Sequence, residues 1–266
     1  MQALHTMDLS VAKQIRFVLT DIDDTVTTEG RLTAAAYEAL EQLSAAGITV
    51  IPITGRPAGW CDHIARMWPV FAVVGENGAF YMRYDRSARK MVTHQWATQV
   101  HLEANRKKLD HLASEILQTV PGSALASDQS YRLADLAIDF CEDVEPLPDA
   151  AVQQIVSLFK RAGAQAKVSS IHVNGWFGDY DKLSMTKTLF AREFGTHLQG
   201  DDTQILFIGD SPNDEPMFEF FSYSVGVANI QKQLHRLTHR PKFVTPSEGG
   251  AGFVEMARQL LVARKV

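Results

Sequence analysis

The chain is poor in the features that mark cross-linked, membrane-spanning or nucleic-acid-binding proteins. Only two cysteines, Cys61 and Cys141, occur among 266 residues. That is too few for a disulfide framework, neither has a ligand partner at metal spacing, and a reducing compartment is expected. No apolar run approaches the ~20 residues needed to cross a bilayer, and the N-terminus lacks a basic segment followed by an apolar core. Positive charge is not in excess. The formal net charge is -5, and no basic stripe runs along an expected helix, so nucleic acid is not an expected partner. His235, Arg236, His239, Arg240 and Lys242 form a local basic cluster that reads as a solvated face. These absences predict a soluble, cytoplasmic protein with no membrane partner, and they leave its oligomeric state unknown. Internal repeats and low-complexity tracts are absent too. What the chain does have is 45% hydrophobic residues over 266 positions, enough to bury a sizeable core in one large domain or two unequal ones.

The most informative segment is Phe17-Val18-Leu19-Thr20-Asp21-Ile22-Asp23-Asp24-Thr25, where an apolar run fit for a buried strand ends in three carboxylates. Like charges so close together cost free energy unless a cation neutralises them, and hard oxygen ligands suit a divalent metal. On an extended backbone, side chains two apart project to the same side, so Asp21 and Asp23 are expected to face one site. A solvated turn explains this cluster taken alone, because Asp is common in turns. It does not explain a second strand with the same ending, Ile205-Leu206-Phe207-Ile208-Gly209-Asp210-Ser211-Pro212-Asn213-Asp214. In parallel α/β sheets the ligand crevice lies at the carboxyl ends of the strands, so two such strands side by side would bring their acids to one metal.

The punctuation between these segments predicts an α/β fold with a Rossmann-like parallel sheet. Thr33 caps an expected helix through Ala46, with Leu40 and Leu43 inward and Gly47 as terminator. A strand Ile48 to Ile53 follows, and Pro52 within it favours an irregular or edge position. A helix Ala58 to Met67, a strand Phe71 to Val74 and the turn Gly75-Glu76-Asn77-Gly78 complete a strand and helix alternation with right-handed crossovers. From about Ala79 to Asp179 the rhythm changes to that of an inserted α+β unit. It comprises a hairpin (Ala79 to Tyr84, Lys90 to His94), a helix Leu102 to Thr119, a strand Leu133 to Phe140, a helix Asp149 to Ala162 and a strand Ala166 to Val173. Alternation then resumes with helix Leu183 to Phe194, strand Gln204 to Ile208, helix Asp214 to Phe221, strands Ser224 to Val227 and Phe243 to Val244, and a last helix from Gly250. The expected division is a discontinuous core, 1–82 and 181–266, with a cap at 83–180.

Asp21 and Asp23, Thr54, Lys182, and Asp210 with Asp214 together suit phosphoryl transfer. These pieces resemble the four motifs of the haloacid dehalogenase superfamily, read here as Asp21-Ile22-Asp23-Asp24-Thr25, Thr54-Gly55-Arg56, Asp181-Lys182 and Gly209-Asp210-Ser211-Pro212-Asn213-Asp214. The placement of the insert, with Gly75-Glu76-Asn77-Gly78-Ala79, is similar to the Cof-type branch of sugar-phosphate phosphatases. The resemblance covers nearly the whole chain. It implies a Mg²⁺-dependent phosphatase acting on a small phosphorylated metabolite. Asp21 would be the nucleophile, Asp23 the general acid and base, and Thr54 and Lys182 the phosphoryl-oxygen ligands. The metal would take Asp21, the Asp23 backbone carbonyl, Asp210 and, directly or through water, Asp214.

Lys182 opens an expected helix whose dipole also favours an anion, whereas Lys187, the competing lysine, lies further along it. Gly55, Arg56 and Asn77 are further substrate-binding candidates. Thr25 and Asn213 are candidates to brace the acidic loops, with plain turn chemistry as the alternative. The cap would choose the substrate, through candidates Arg132, His172, Asn174 and Trp176, although a large aromatic near a hinge is more often packing. Competing readings are a phosphomutase, a receiver module phosphorylated on aspartate, for which the insert is superfluous, and a family member that has lost catalysis.

Overall fold

The computed structural model describes residues 1–169 and 171–264. The chain begins with β1 (Gln2–Ala3), α1 (Leu9–Gln14), β2 (Phe17–Thr20), α2 (Ala34–Ala45), β3 (Thr49–Pro52), α3 (Ala58–Met67) and β4 (Val73–Gly75). The insert region carries β5 (Phe80–Asp85), β6 (Lys90–Gln95), α4 (Gln99–Thr119), β7 (Ala124–Leu125), β8 (Leu136–Asp139), α5 (Asp149–Arg161), β9 (Gln165–Val168) and β10 (His172–Trp176). It closes with α6 (Lys182–Glu193), β11 (Ile205–Gly209), α7 (Glu215–Phe220), β12 (Ser224–Gly226), β13 (Phe243–Val244) and α8 (Gly249–Ala263).

A six-stranded parallel sheet in the order β1-β13-β12-β11-β2-β3 forms the centre, giving the expected α/β architecture. Its strands read as unbroken apolar runs because both faces are covered. Successive residues alternate between those faces. Val18, Val50, Leu206 and Ile208 pack with Leu40 of α2 and Phe253 of α8. Leu19, Ile51 and Phe207 pack with Leu189 and Phe190 of α6 and Phe218 of α7. Thr33 caps α2 as expected, its hydroxyl accepting the Ala36 N–H at 3.3 Å. Within α2, Ala36, Ala39, Leu40 and Leu43 form the buried stripe of an amphipathic helix. Pro52 is indeed at the sheet's edge, since β3 is the last strand in the order, with one bridge from Ile53 to Val74 beyond it.

Antiparallel strands β4-β5-β6 make a second sheet, and β7-β8-β10-β9 a third, covered by α4 and α5 through Leu109, Ile116, Ile155 and Phe159. The expected hairpin forms, but its first strand is fastened to the core: Phe80 and Met82 pack in the cluster of Leu40, and Tyr81 in that of Phe190. The single strand expected over Ala166 to Val173 is instead two antiparallel strands, β9 and β10. Ser170, inside that span, lies outside the described residues, as do residues 265 and 266 of the expected core. The strand expected from Leu133 begins only at Leu136, because the Leu133, Ala134 and Asp135 N–H groups donate to the Glu76 carboxylate and not to a ladder. The short elements β1 and α1 carry no sequence pattern long enough to predict.

Candidate active site

Strands β2 and β11 are neighbours, paired in register from Phe17 with Ile205 to Thr20 with Ile208. The residues that follow them must therefore meet, and the Asp21 N–H donates to the Ile208 carbonyl at 2.9 Å. Asp21, Asp210 and Asp214 are buried, and each offers a carboxylate oxygen within 4.8 Å of the others. Lys182 Nζ lies 2.6 Å from Asp21 Oδ1 and 2.7 Å from Asp214 Oδ1. Three carboxylates facing one ammonium leave an excess of negative charge that burial makes costly. Burial, reinforced by Asp214 and Asp23 and opposed by Lys182, pushes Asp21 up to about 8. Burial and the Asp21 and Asp214 charges likewise hold Asp210 well above the usual carboxylate range. Burial works against the Lys182 charge, but Asp21 and Asp214 outweigh it and raise its pKa. The chemistry of this donor set fits a hard divalent cation, which would remove the excess charge.

Local folding explains how each group is held. Asp214 Oδ2 accepts the Asp210 and Ser211 N–H groups at 3.1 and 3.3 Å, closing the loop after β11 on itself. Gly209 is needed beneath it, because a Cβ there would sit 2.4 Å from Asp214 Oδ2. Lys182 is the first residue of α6, whose N-cap Asp181 forms a capping box with Ser184. The Gly75-Glu76-Asn77-Gly78 turn presses on that helix start. Gly78 has φ +110°, and a Cβ on it would lie 2.0 Å from the Asp181 carbonyl oxygen. Only glycine tolerates both the conformation and the approach.

Asp21 and Asp23 line one cleft, as alternation implied, but they have different partners. The chain leaves the strand after Thr20, and the Ile22 carbonyl accepts N–H groups from Thr25, Val26 and Thr27 in a tight turn. Asp23 instead meets Arg56, with Nε and Nη2 3.0 and 2.9 Å from Oδ1. Arg56 also lies 3.4 Å from Glu142 of the insert, 3.7 Å from Asp128 and over the Trp60 ring at 4.5 Å. Thr54 is fully buried; its N–H donates to Val74 and its Oγ1 accepts the Arg56 N–H at 3.0 Å, leaving the hydroxyl proton for another acceptor. Asn77, at φ 55°, donates its N–H to the Thr54 carbonyl, and its side chain packs against Gly55.

A cleft between core and insert is lined by Asp21, Asp23, Arg56, His172, Asn174 and Asp210, among others. Of the insert candidates, His172 and Asn174 reach it, and Asn174 Nδ2 also donates to Asp135 at 2.9 Å. Arg132 borders the cleft but is committed elsewhere, to Asp128 and Asp135 at 3.0 Å each and to the Gly55 carbonyl. Trp176 is packing: it is 2% exposed, stacks on Tyr180 and donates to the Tyr180 carbonyl. Lys187 is away from the acids, over the Phe220 ring at 4.1 Å. Thr25 approaches Asp210 Oδ1 at 3.5 Å, and Asn213 Oδ1 accepts from Ser211 Oγ at 2.7 Å.

Three residues escaped the sequence reading. Asn229 Nδ2 donates to Asp210 Oδ2 at 2.9 Å and to the Asp24 carbonyl at 3.1 Å. Glu142 sits between Arg56 and His172. Glu76, noted only as part of a turn, is fully buried and accepts N–H groups from Ala58, Leu133, Ala134 and Asp135. Burial and the Asp135 charge push it up to about 7, against Arg132 and the N–H donors. No residue-type pattern announces these partners, since each pairing joins distant segments.

Comparison with known proteins bears on the family. The sequence profile of haloacid dehalogenase-like hydrolases matches residues 18–120 and 149–255. A phosphoglycolate phosphatase of Methanoculleus marisnigri is 24% identical over 247 residues, covering 92% of this chain and 96% of the relative. Another, of Methanothrix thermoacetophila, is 25% identical over 250 residues, covering 94% and 98%. Among solved structures, a Thermoplasma acidophilum protein superposes with a TM-score of 0.70 at 18% identity, covering 92% of this chain and 98% of that one. The sucrose-phosphatase of Synechocystis, in complex with sucrose and phosphate, superposes with a TM-score of 0.63 at 17% identity, covering 93% and 98%. At these identities the structural likeness speaks for the fold, while the profile, spanning both halves of the parallel sheet and most of the insert, settles descent: the chain belongs to the haloacid dehalogenase-like hydrolase family.

Proposed function

We propose that the protein is a Mg²⁺-dependent phosphatase that hydrolyses a small-molecule phosphomonoester through an aspartyl-phosphate on Asp21. The observation that carries the reading is the meeting of Asp21, Asp210, Asp214 and Lys182 at the ends of β2 and β11. Asp21 attacks phosphorus in line with the leaving oxygen. A carboxylate is a weak nucleophile, so positioning and charge neutralisation matter more than activation by a base. Asp23 gives its proton to the departing alcohol oxygen and then takes one from the water that cleaves the acyl phosphate. Its contacts with Arg56 fix the side chain's orientation between core and insert. The spare Thr54 hydroxyl proton and the Lys182 ammonium bind the non-bridging phosphoryl oxygens, where charge stabilisation carries most of such a reaction.

Asp21 and Asp210 would hold Mg²⁺ directly, Asp23 through its backbone carbonyl, and Asp214 directly or through water. When bound, the ion supplies Lewis-acid neutralisation of nucleophile and phosphoryl oxygens. Substrate is a sugar phosphate or a similarly small ester; the name of the curated relatives adds 2-phosphoglycolate to the compounds to assay first. The test is a panel of phosphate esters with Mg²⁺. Phosphate release abolished by EDTA is expected. Wild-type turnover in Asp21→Asn refutes the nucleophile, and isomerisation of a sugar phosphate with little free phosphate replaces hydrolysis by phosphomutase activity.

A further inference from the structure

We propose that Glu142 sets leaving-group specificity: it withholds Arg56 and His172 from a second anionic group and confines substrates to esters of uncharged, hydroxylated alcohols. This rests on the phosphatase reading above. Lys182 and the acidic cluster serve the phosphoryl end of the cleft, so discrimination falls to the far end. Two guanidinium groups border that end, and both are already spent. Arg132 is bound to Asp128 and Asp135, and Arg56 to Asp23, with Glu142 and Asp128 close by. Asp128, Asp135 and Glu142, with the general acid Asp23, thus face two cations. A carboxylated leaving group placed between Arg56 and His172 would meet guanidinium groups already paired with carboxylates, the exposed Lys167 lying in the adjoining groove beside Ser169 and Asn213, whereas hydroxyl groups would find acceptors and donors.

Glu142 is the member of this set that can be changed without emptying the core. Its side chain is 28% exposed, and its carboxylate lies 3.4 Å from Arg56 and 2.9 Å from His172 Nε2. His172 Nε2 is buried and, despite that short contact, has no aligned hydrogen bond. That leaves His172 Nε2, on the cleft side of the contact, to meet a substrate hydroxyl beside Glu142. The His172 contact, with help from Arg56, holds the Glu142 carboxyl below its usual range. Glu142 is therefore a negative charge held against two cleft residues, Arg56 and His172.

The test uses two esters of nearly equal size, 2-hydroxyethyl phosphate and 2-phosphoglycolate, which differ in a hydroxymethyl group against a carboxylate. The wild-type protein and Glu142→Gln are compared by kcat/KM with Mg²⁺, with p-nitrophenyl phosphate as a general substrate. The expected result is a wild-type preference for 2-hydroxyethyl phosphate that narrows by about tenfold or more in Glu142→Gln, as loss of one unit charge in a half-buried site should produce. Glu145→Gln, on the same loop and exposed, leaves the ratio unchanged. Hydrolysis of p-nitrophenyl phosphate with an unaltered ratio in Glu142→Gln, or a wild-type preference for 2-phosphoglycolate, overturns the specificity proposal alone. Failure of the wild-type protein to hydrolyse all three overturns the phosphatase reading and this proposal with it.

Discussion

Replacing Lys182 with methionine tests the electrostatic argument most directly. The ammonium is 3% exposed and touches Asp21 and Asp214 at 2.6 and 2.7 Å. Methionine fills a similar volume but leaves Asp21, Asp210 and Asp214 facing one another with no cation. Removing one partner of a buried ion pair costs about 3–5 kcal/mol, chiefly the desolvation of what remains. That cost depends on pH. In the metal-free protein the folded chain binds a proton on Asp21 more tightly than the unfolded chain, because its pKa is raised from 3.8 to about 8. This contribution to stability is therefore full below the unfolded value and is lost as pH rises through about 8. Lys182 is what lowers the Asp21 pKa against burial, so without it protonation becomes the only relief. Urea unfolding with EDTA should show Lys182→Met destabilised by about 3–5 kcal/mol near pH 8 and by much less near pH 5. Saturating Mg²⁺ should narrow the gap by binding the folded state. Turnover should fall about 10²–10³-fold through loss of a donor to the phosphoryl oxygens. An unfolding midpoint equal to wild type near pH 8 without metal would refute the placement of this lysine among buried carboxylates.

Two further substitutions probe the supports of the site. Gly78→Ala forces a side chain into a left-handed conformation and onto the Asp181 carbonyl. It should cost about 3 kcal/mol or more by calorimetry and displace the start of α6, and a neutral result would mean the turn does not bear on Lys182. Asn229→Ala removes a hydrogen-bond donor from Asp210. Titration calorimetry should show Mg²⁺ affinity reduced about 10–100-fold, with unaltered affinity ruling out Asn229 as the residue that orients Asp210.

The sheet was legible because buried parallel strands print themselves as apolar runs, and Asp21 and Asp210 stood out because those runs stop in acids. Lys182 was distinguishable from Lys187 by its place at a helix start, and Lys187 packs on Phe220. Asp23 was legible as a candidate facing the site of Asp21, and both line one cleft. Its pairing with Arg56 was not, because it joins the loop after β2 to the loop after β3. The split of Ala166 to Val173 into two strands was hidden, since β-prone residues on both sides of a short polar stretch read as one irregular strand. Glu76 and Glu142 were opaque because a buried carboxylate is defined by its partners. The Glu76 partners Leu133, Ala134 and Asp135 lie 57 to 59 positions away.

Those two carboxylates also bear on how the insert would move over the cleft. Besides the exposed Arg236 and Asp149 pair at 3.4 Å, two sets of polar contacts near the cleft tie it to the core. One is buried: Glu76 receives three N–H groups from the start of the insert's sheet, and Arg132 bridges the Gly55 carbonyl and Asp135. Breaking it would strand buried charges at about 3–5 kcal/mol. The other is the partly exposed Arg56 and Glu142 contact at 3.4 Å, worth about 0–1 kcal/mol. Opening for substrate would take the cheaper route, the insert pivoting about Glu76 and Arg132 and parting from the core at Glu142. Hydrogen exchange should accordingly be slow at Leu133, Ala134 and Asp135 and faster at residues 142–145, and Glu76→Gln, which gives up one acceptor oxygen to an amide, should accelerate the first set selectively. Fast exchange at Leu133 to Asp135 in the wild-type protein would place the hinge elsewhere and detach cleft opening from the Arg56 contact that holds Asp23.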